Sequence, residues 1–184
     1  MGLDMYLQAT KYVGGWNHDG GKQPEFDAMV GLTGIHPTKE APSFNITATV
    51  AYWRKANAIH NWFVENCQEG KDECQTSYVS RKQLAELRDS CRNALSCAEM
   101  REGVVNVGTA YGPDGVRQLT EPGQLVTNKA QVAKILPTKG GFFFGGTDYD
   151  EAYIDDLKET ADTLDRLLSD KALATYDFEY HASW

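Results

Sequence analysis

Apolar and polar side chains alternate near the start of this chain, again in its first third, and again at its end. "LDMYLQA" sets Leu3, Met5 and Leu7 against Asp4, Tyr6 and Gln8. "FNITATVAYW" puts Phe44, Ile46, Ala48, Val50 and Tyr52 on one face. "TYDFEYHASW" alternates Tyr176, Phe178 and Tyr180 with Asp177, Glu179 and His181. A period of two marks a half-buried strand, and a strand with one apolar face must pack that face against another layer. The intervening segments supply the layer. Ala56, Ile59, Phe63 and Cys67 recur at three and four, as do Leu84, Leu87, Cys91 and Leu95, and Tyr153, Leu157, Ala161, Leu164 and Leu168. These are helical stripes. There is no regular strand-helix repetition and no internal repeat. The pattern therefore predicts an α+β domain, with a mixed or antiparallel sheet and helices packed mainly on one face.

The predicted strands cover 3–9, 44–52, 141–145 and 175–182, and the main helices cover 54–69, 81–98 and 148–170. Gly70 stands where the first helix would end, and "SRKQ" at Ser80–Gln83 is a capping box for the second. Thr147 or Asp148 is the expected cap of the third, with Asp150 and Glu151 in its first turn. "EFDAMVGLTG" reads as a short helix, "VVNVGT" as a short strand, and "NKAQVAKIL" as a short helix stopped by Pro137. The Gly- and Pro-rich stretches at 13–24, 36–42 and 111–124 read as loops. A length of 184 residues suits one domain over 1–184, and no stretch is apolar enough to span a membrane. There is no basic-then-apolar leader, and Tyr6 stands where a myristoylation signal needs Ser or Thr. The Asn45–Thr47 sequon carries no weight in a protein that is not secreted. The expected location is thus cytoplasmic.

Charge is distributed unevenly. Residues 148–179 hold eleven acidic and three basic side chains, which accounts for the whole net charge of −8. Such a surface repels phosphate backbones and anionic bilayers, so neither nucleic acid nor membrane is an expected partner. The exposed acids Asp155, Glu159 and Asp162 of the last helix form a candidate protein-interaction face. Asp148, Asp150, Glu151, Asp155 and Asp156 form a candidate oxygen-ligand cluster, weighed against an ordinary solvated helix face. Cys67, Cys74, Cys91 and Cys97 lack C-x-x-C spacing, so they read as reduced, mostly buried thiols, and no metal or cofactor is expected. "GGWNHDGGKQ" fails the P-loop pattern by one residue of spacing and by Gln23 after Lys22. No nucleophile elbow or H-E-x-x-H occurs, and no catalytic residue is assigned.

The richest polar segment is "YWRKANAIHNWF", residues 52–63. On a helix starting near Trp53, the residues Trp53, Asn57 and His60 share one line, and Arg54, Asn57 and Asn61 share the next. A stacking ring, a guanidinium, two amides and an imidazole suit a nucleotide or another planar anion. The competing reading makes the same groups ties between the helix and neighbouring backbone.

"MGLDMYL", "YWRKANAIHNWF", "YVS" followed by "QLAEL" and a cysteine, "GFFFGGTDYD" and the terminal Tyr180–Trp184 together resemble a family of small uncharacterised bacteriophage and prophage proteins, from end to end. The resemblance implies an accessory protein working in an infected bacterial host. Three function classes follow. The first is a binder of a small anionic molecule such as a nucleotide, possible targets including defence signals. The second is an inhibitor that docks on a host protein through an acidic, nucleic-acid-mimicking helix face. The third is an enzyme of nucleotide metabolism, which no particular motif favours.

Overall fold

A computed structural model describes residues 2–15, 24–36, 43–113 and 115–184. Most of the P-loop-like stretch and of the two Gly/Pro-rich loops near 13–24 and 36–42 lies outside the described residues, while Val13 and Gly14 are strand rather than loop. The fold is α+β, with antiparallel sheets. Strand β1 (Asp4–Gly14) and strand β6 (Asp177–Ser183) pair at the centre. Strand β2 (Ser43–Arg54) flanks β1, and the short β3 (Ser77–Val79) flanks β6, so the order is β2-β1-β6-β3.

Alternation in β1 does what its sequence requires. Met5, Leu7 and Ala9 are wholly buried on one face, while Tyr6, Gln8 and Thr10 are half-buried on the other. On the buried side lie helix α2 (Asn57–Cys67), helix α3 (Arg81–Cys97) and helix α5 (Glu151–Ser169). Leu84, Leu87 and Cys91 of α3 and Leu157 and Leu164 of α5 share that core with Phe63, Phe178 and Tyr180. The Phe63 and Tyr180 rings stack at 3.9 Å, which locks α2 onto the central strand. Helix α1 (Pro24–Thr33) sits near the far ends of β1 and β2 and buries none of its residues. A four-residue helix, α4 (Lys129–Val132), precedes Pro137.

The capping box of α3 is present: Ser80 Oγ accepts from the Gln83 backbone N–H, and the Gln83 side chain accepts from the Ser80 N–H. Gly70 takes φ +74 and donates to the Val64 carbonyl, closing α2. The cap of α5 differs from expectation. Asp150 itself accepts from the Tyr153 N–H, three residues beyond Thr147 and two beyond Asp148.

Three further departures have local causes. In β2 a bulge opposite Leu7/Gln8 changes the parity of the strand. Phe44, Ile46 and Ala48 lie across from Val13, Lys11 and Ala9, but beyond the bulge Ala51 and Trp53 take the core face. Tyr52 is on the opposite face against Tyr6. The strand then runs on through Arg54, so no helix starts at Trp53. The predicted strand at 141–145 is a turn-rich loop. Gly141 accepts from the Phe144 N–H, and Gly145 takes φ +86, geometry that breaks a ladder. Finally, 100–126 forms a long hairpin, β4 (Met100–Gly112) and β5 (Gly115–Val126), where a loop was expected over 111–124. The strand expected at 104–109 lies within β4, but the outer part of β5 is exposed throughout, so no alternating pattern marks it.

Candidate functional site

Where β2 gives way to α2, the chain turns through a single left-handed residue, Lys55 at φ +61. This conformation costs a side-chain-bearing residue about 1 kcal/mol or more. The neighbourhood enforces it. The Lys55 N–H donates to the Leu3 carbonyl at 2.8 Å, and the Lys55 carbonyl accepts from the Asn57 N–H at 2.8 Å. Gly145 makes room opposite, since a Cβ there would lie 3.2 Å from the Lys55 Cβ.

Lys55 lies on the wall of a cleft of about 490 Å³. Arg54 and Asn57 adjoin it, Thr138, Gly145, Gly146 and Asp148 come from the loop before α5, and Asp150, Tyr153 and Asp156 come from the start of α5. The fourth side is the hairpin, through Asn106, Val107, Gly108 and Thr109. A register irregularity in β4 falls at this point, between Asn106 and Gly108, and Asn106 Oδ1 accepts from the Gly108 N–H. Bulges commonly re-aim side chains beside sites of this kind. The volume lies within the range of small-ligand pockets, about 300–1,000 Å³.

The cleft is bipolar. Arg54 and Lys55 put two cations on the β2 side. Asp148, Asp150 and Asp156 put three carboxylates on the α5 side. Arg54 is 59% exposed, and its Nε stands 4.0 Å from Asp4 Oδ1, a loose pairing. Among the described residues the Lys55 ammonium has no ion pair. Asp150 is partly committed to capping α5. Asp156 is half-buried, and among the described residues its carboxylate takes no hydrogen bond or ion pair. Burial pushes the Asp156 carboxyl up to about 7, with Glu159, Asp155 and Asp150 adding repulsion. It therefore titrates near neutrality, which sequence reading did not single out.

The proposed ligand residues of 52–63 separate. Arg54 and Asn57 line the cleft, while Trp53, His60 and Asn61 do not. Trp53 faces the core, and its indole N–H donates to Thr160 Oγ1 on α5 at 2.9 Å. His60 is 1% exposed, held between the Tyr180 hydroxyl at 2.7 Å and the Asp72 carboxylate at 3.0 Å. Asp72 in turn accepts from the Trp184 indole N–H. Asn61 is buried on α2. Asn57 touches the cleft wall but is spent on structure. Its amide donates to the carbonyls of Phe144 and Gly146, and its oxygen accepts from the Lys139 N–H. These three bonds anchor the loop that carries Gly145 and Asp148 (the loop also gives the Phe143 carbonyl to the Leu3 N–H). The tie reading thus describes most of this segment, and Arg54 and Lys55 are its charged residues on the cleft wall.

Other groups are less reactive or lie elsewhere. All four cysteines are free, but against the expectation of mostly buried thiols only Cys91 is buried, with Cys67 and Cys97 half-buried and Cys74 exposed. Burial pushes the Cys67 and Cys91 thiols up to about 12, so neither is a thiolate at neutral pH. Asp155, Glu159 and Asp162 are exposed on α5 and Asp170 is exposed just past its end, but Asp155 pairs with Lys158 and Asp165 with Arg88 and Arg92. No helix among the described residues is long and apolar enough to cross a membrane. Compared with protein families, curated proteins and solved structures, the chain matches none.

Proposed function

We propose that this protein binds a small anionic molecule, a nucleotide being the favoured class, in the cleft between α5, the hairpin and the β2–α2 junction. One observation carries the reading: Lys55, held left-handed at φ +61, stands beside exposed Arg54 on the wall of a cleft of about 490 Å³. A strained residue persists where its surroundings over-determine it, and such residues cluster at ligand sites. The two cations supply charge-assisted donors for a phosphate, and the uncharged hairpin wall leaves room for the rest of the molecule. The setting of a phage accessory protein, countering host defence signalling in the bacterial cytoplasm, rests on the sequence resemblance alone. Calorimetry with nucleoside mono- and diphosphates tests the reading. Binding to the wild type that is lost in Arg54→Ala and Lys55→Ala supports it. Equal heats in all three proteins remove it.

A second reading is favoured by the exposure of Asp155, Glu159 and Asp162 on α5: a face that captures a basic host protein. It predicts association that weakens steeply with salt, because exposed charges are screened over about 8 Å at physiological ionic strength. Low- and high-salt pull-downs from a host lysate decide it. Recovery of no partner, or of one indifferent to salt, leaves this face as solubilising surface.

A further inference from the structure

The cleft has a carboxylate wall that a purely anionic ligand would not use. Resting on the reading above, we infer that the ligand is amphoteric: its anionic group meets Arg54 and Lys55, and an ammonium or amino group meets Asp156 on α5. The argument is electrostatic. Three carboxylates, from α5 and the loop before it, line the cleft together with the two cations of the β2–α2 junction, so a bare polyanion filling the space would gain two attractions and meet three repulsions. A molecule with opposite charges at its two ends matches both walls. Asp156 is the carboxylate best placed to serve. Asp150 already caps α5, Asp148 is exposed, and among the described residues Asp156 has neither a hydrogen bond nor an ion pair. A half-buried carboxylate without a partner is costly to ionise, and a ligand N–H donor would relieve that cost. The charged groups around it are Asp155 and Glu159 from its own helix, Asp150 at the helix cap, Asp148 from the preceding loop, and Arg54 and Lys55 elsewhere on the cleft wall. The hairpin contributes no charge to the cleft.

The test compares 4-aminobutyl phosphate with butyl phosphate by NMR titration of the whole chain at pH 6 and pH 8. Both probes carry the same phosphate, whose own titration cancels in the ratio of their affinities. At pH 8 the amino compound should bind roughly tenfold tighter, as one charge-assisted hydrogen bond allows. At pH 6 the preference should shrink, because the Asp156 carboxyl, raised to about 7, is then mostly protonated. Asp156→Asn should erase the preference at pH 8 while still binding butyl phosphate. Equal affinity of the wild type for the two probes at pH 8, with both lost in Arg54→Ala, overturns the amphoteric ligand and keeps the anion site. Binding of neither probe removes the anion site and this inference with it.

Discussion

Replacing Asp156 with asparagine should make the protein more stable, and increasingly so as pH rises. The carboxyl is shifted from its usual 3.8 to about 7, first by burial and then by Glu159, Asp155 and Asp150. Between those two values the folded chain keeps a proton that the unfolded chain releases. Wild-type stability therefore falls as pH rises from about 4 to about 7, and the loss is complete above that. The gap corresponds to about 4 kcal/mol in full, and to about 2 kcal/mol once the water of an open cleft is allowed for. Either figure is a large share of a domain's total stability, about 5–15 kcal/mol. Asparagine keeps the shape and removes the ionisation, and among the described residues no hydrogen bond to the carboxylate is lost. Urea unfolding followed by tryptophan fluorescence at several values from pH 4 to pH 8 gives both stabilities by linear extrapolation. The variant's advantage should grow by about 2–4 kcal/mol across that range. Parallel stability curves would show that Asp156 is solvated like a surface acid, and the electrostatic picture of the cleft would fail.

Other substitutions separate ligand groups from structural ties. Asn57→Ala should cost about 2–4 kcal/mol, because it strands two carbonyls and one N–H of the 138–146 loop, and amide exchange at Lys139 should accelerate. His60→Ala should cost about 3–5 kcal/mol by leaving a cavity and unpaired Tyr180 and Asp72 groups, as thermal or urea unfolding will read. Trp53→Phe loses the bond to Thr160 and some volume, for about 1–3 kcal/mol in the same assay. Arg54→Ala, exposed and loosely paired, should change stability by under about 0.5 kcal/mol while abolishing anion binding by calorimetry. Reversing the charge at Asp162, which neither lines the cleft nor acts on Asp156, should leave nucleotide affinity unchanged by calorimetry, and a loss as large as that in Arg54→Ala would put the ligand outside the cleft.

Much of the scaffold was legible because burial is written in periodicity. β1, β6, α3 and α5 each bury one face, and their apolar spacing says so. Of the hairpin only the stretch at 104–109 was legible as strand; β5 was not, because a strand exposed along most of its length carries no such pattern and its glycines and Pro122 look like loop. The face of β2 was misread past the bulge, since an extra residue inverts parity without altering composition. That single irregularity also explains why Trp53 belongs to the core and to a strand, not to a helix with His60. For the site, Arg54 was legible as a cation in a polar segment. The left-handed turn at Lys55 was not, because lysine carries no sequence signal for that conformation. Asp156 was seen only as one acid among several. Its distinct role comes from its half-buried place in the cleft, which spacing along α5 does not specify.

The central claim is that an anion binds between Arg54, Lys55 and the hairpin. Backbone-resolved NMR of the labelled protein, titrated with butyl phosphate, tests it most directly. The account predicts saturable shifts at the amides of Lys55, Gly145, Gly146 and Asn106–Thr109, with His60 and Asn61 unmoved and the shifts absent in Arg54→Ala. Shifts confined to other surfaces, or a response identical in Arg54→Ala, would contradict it.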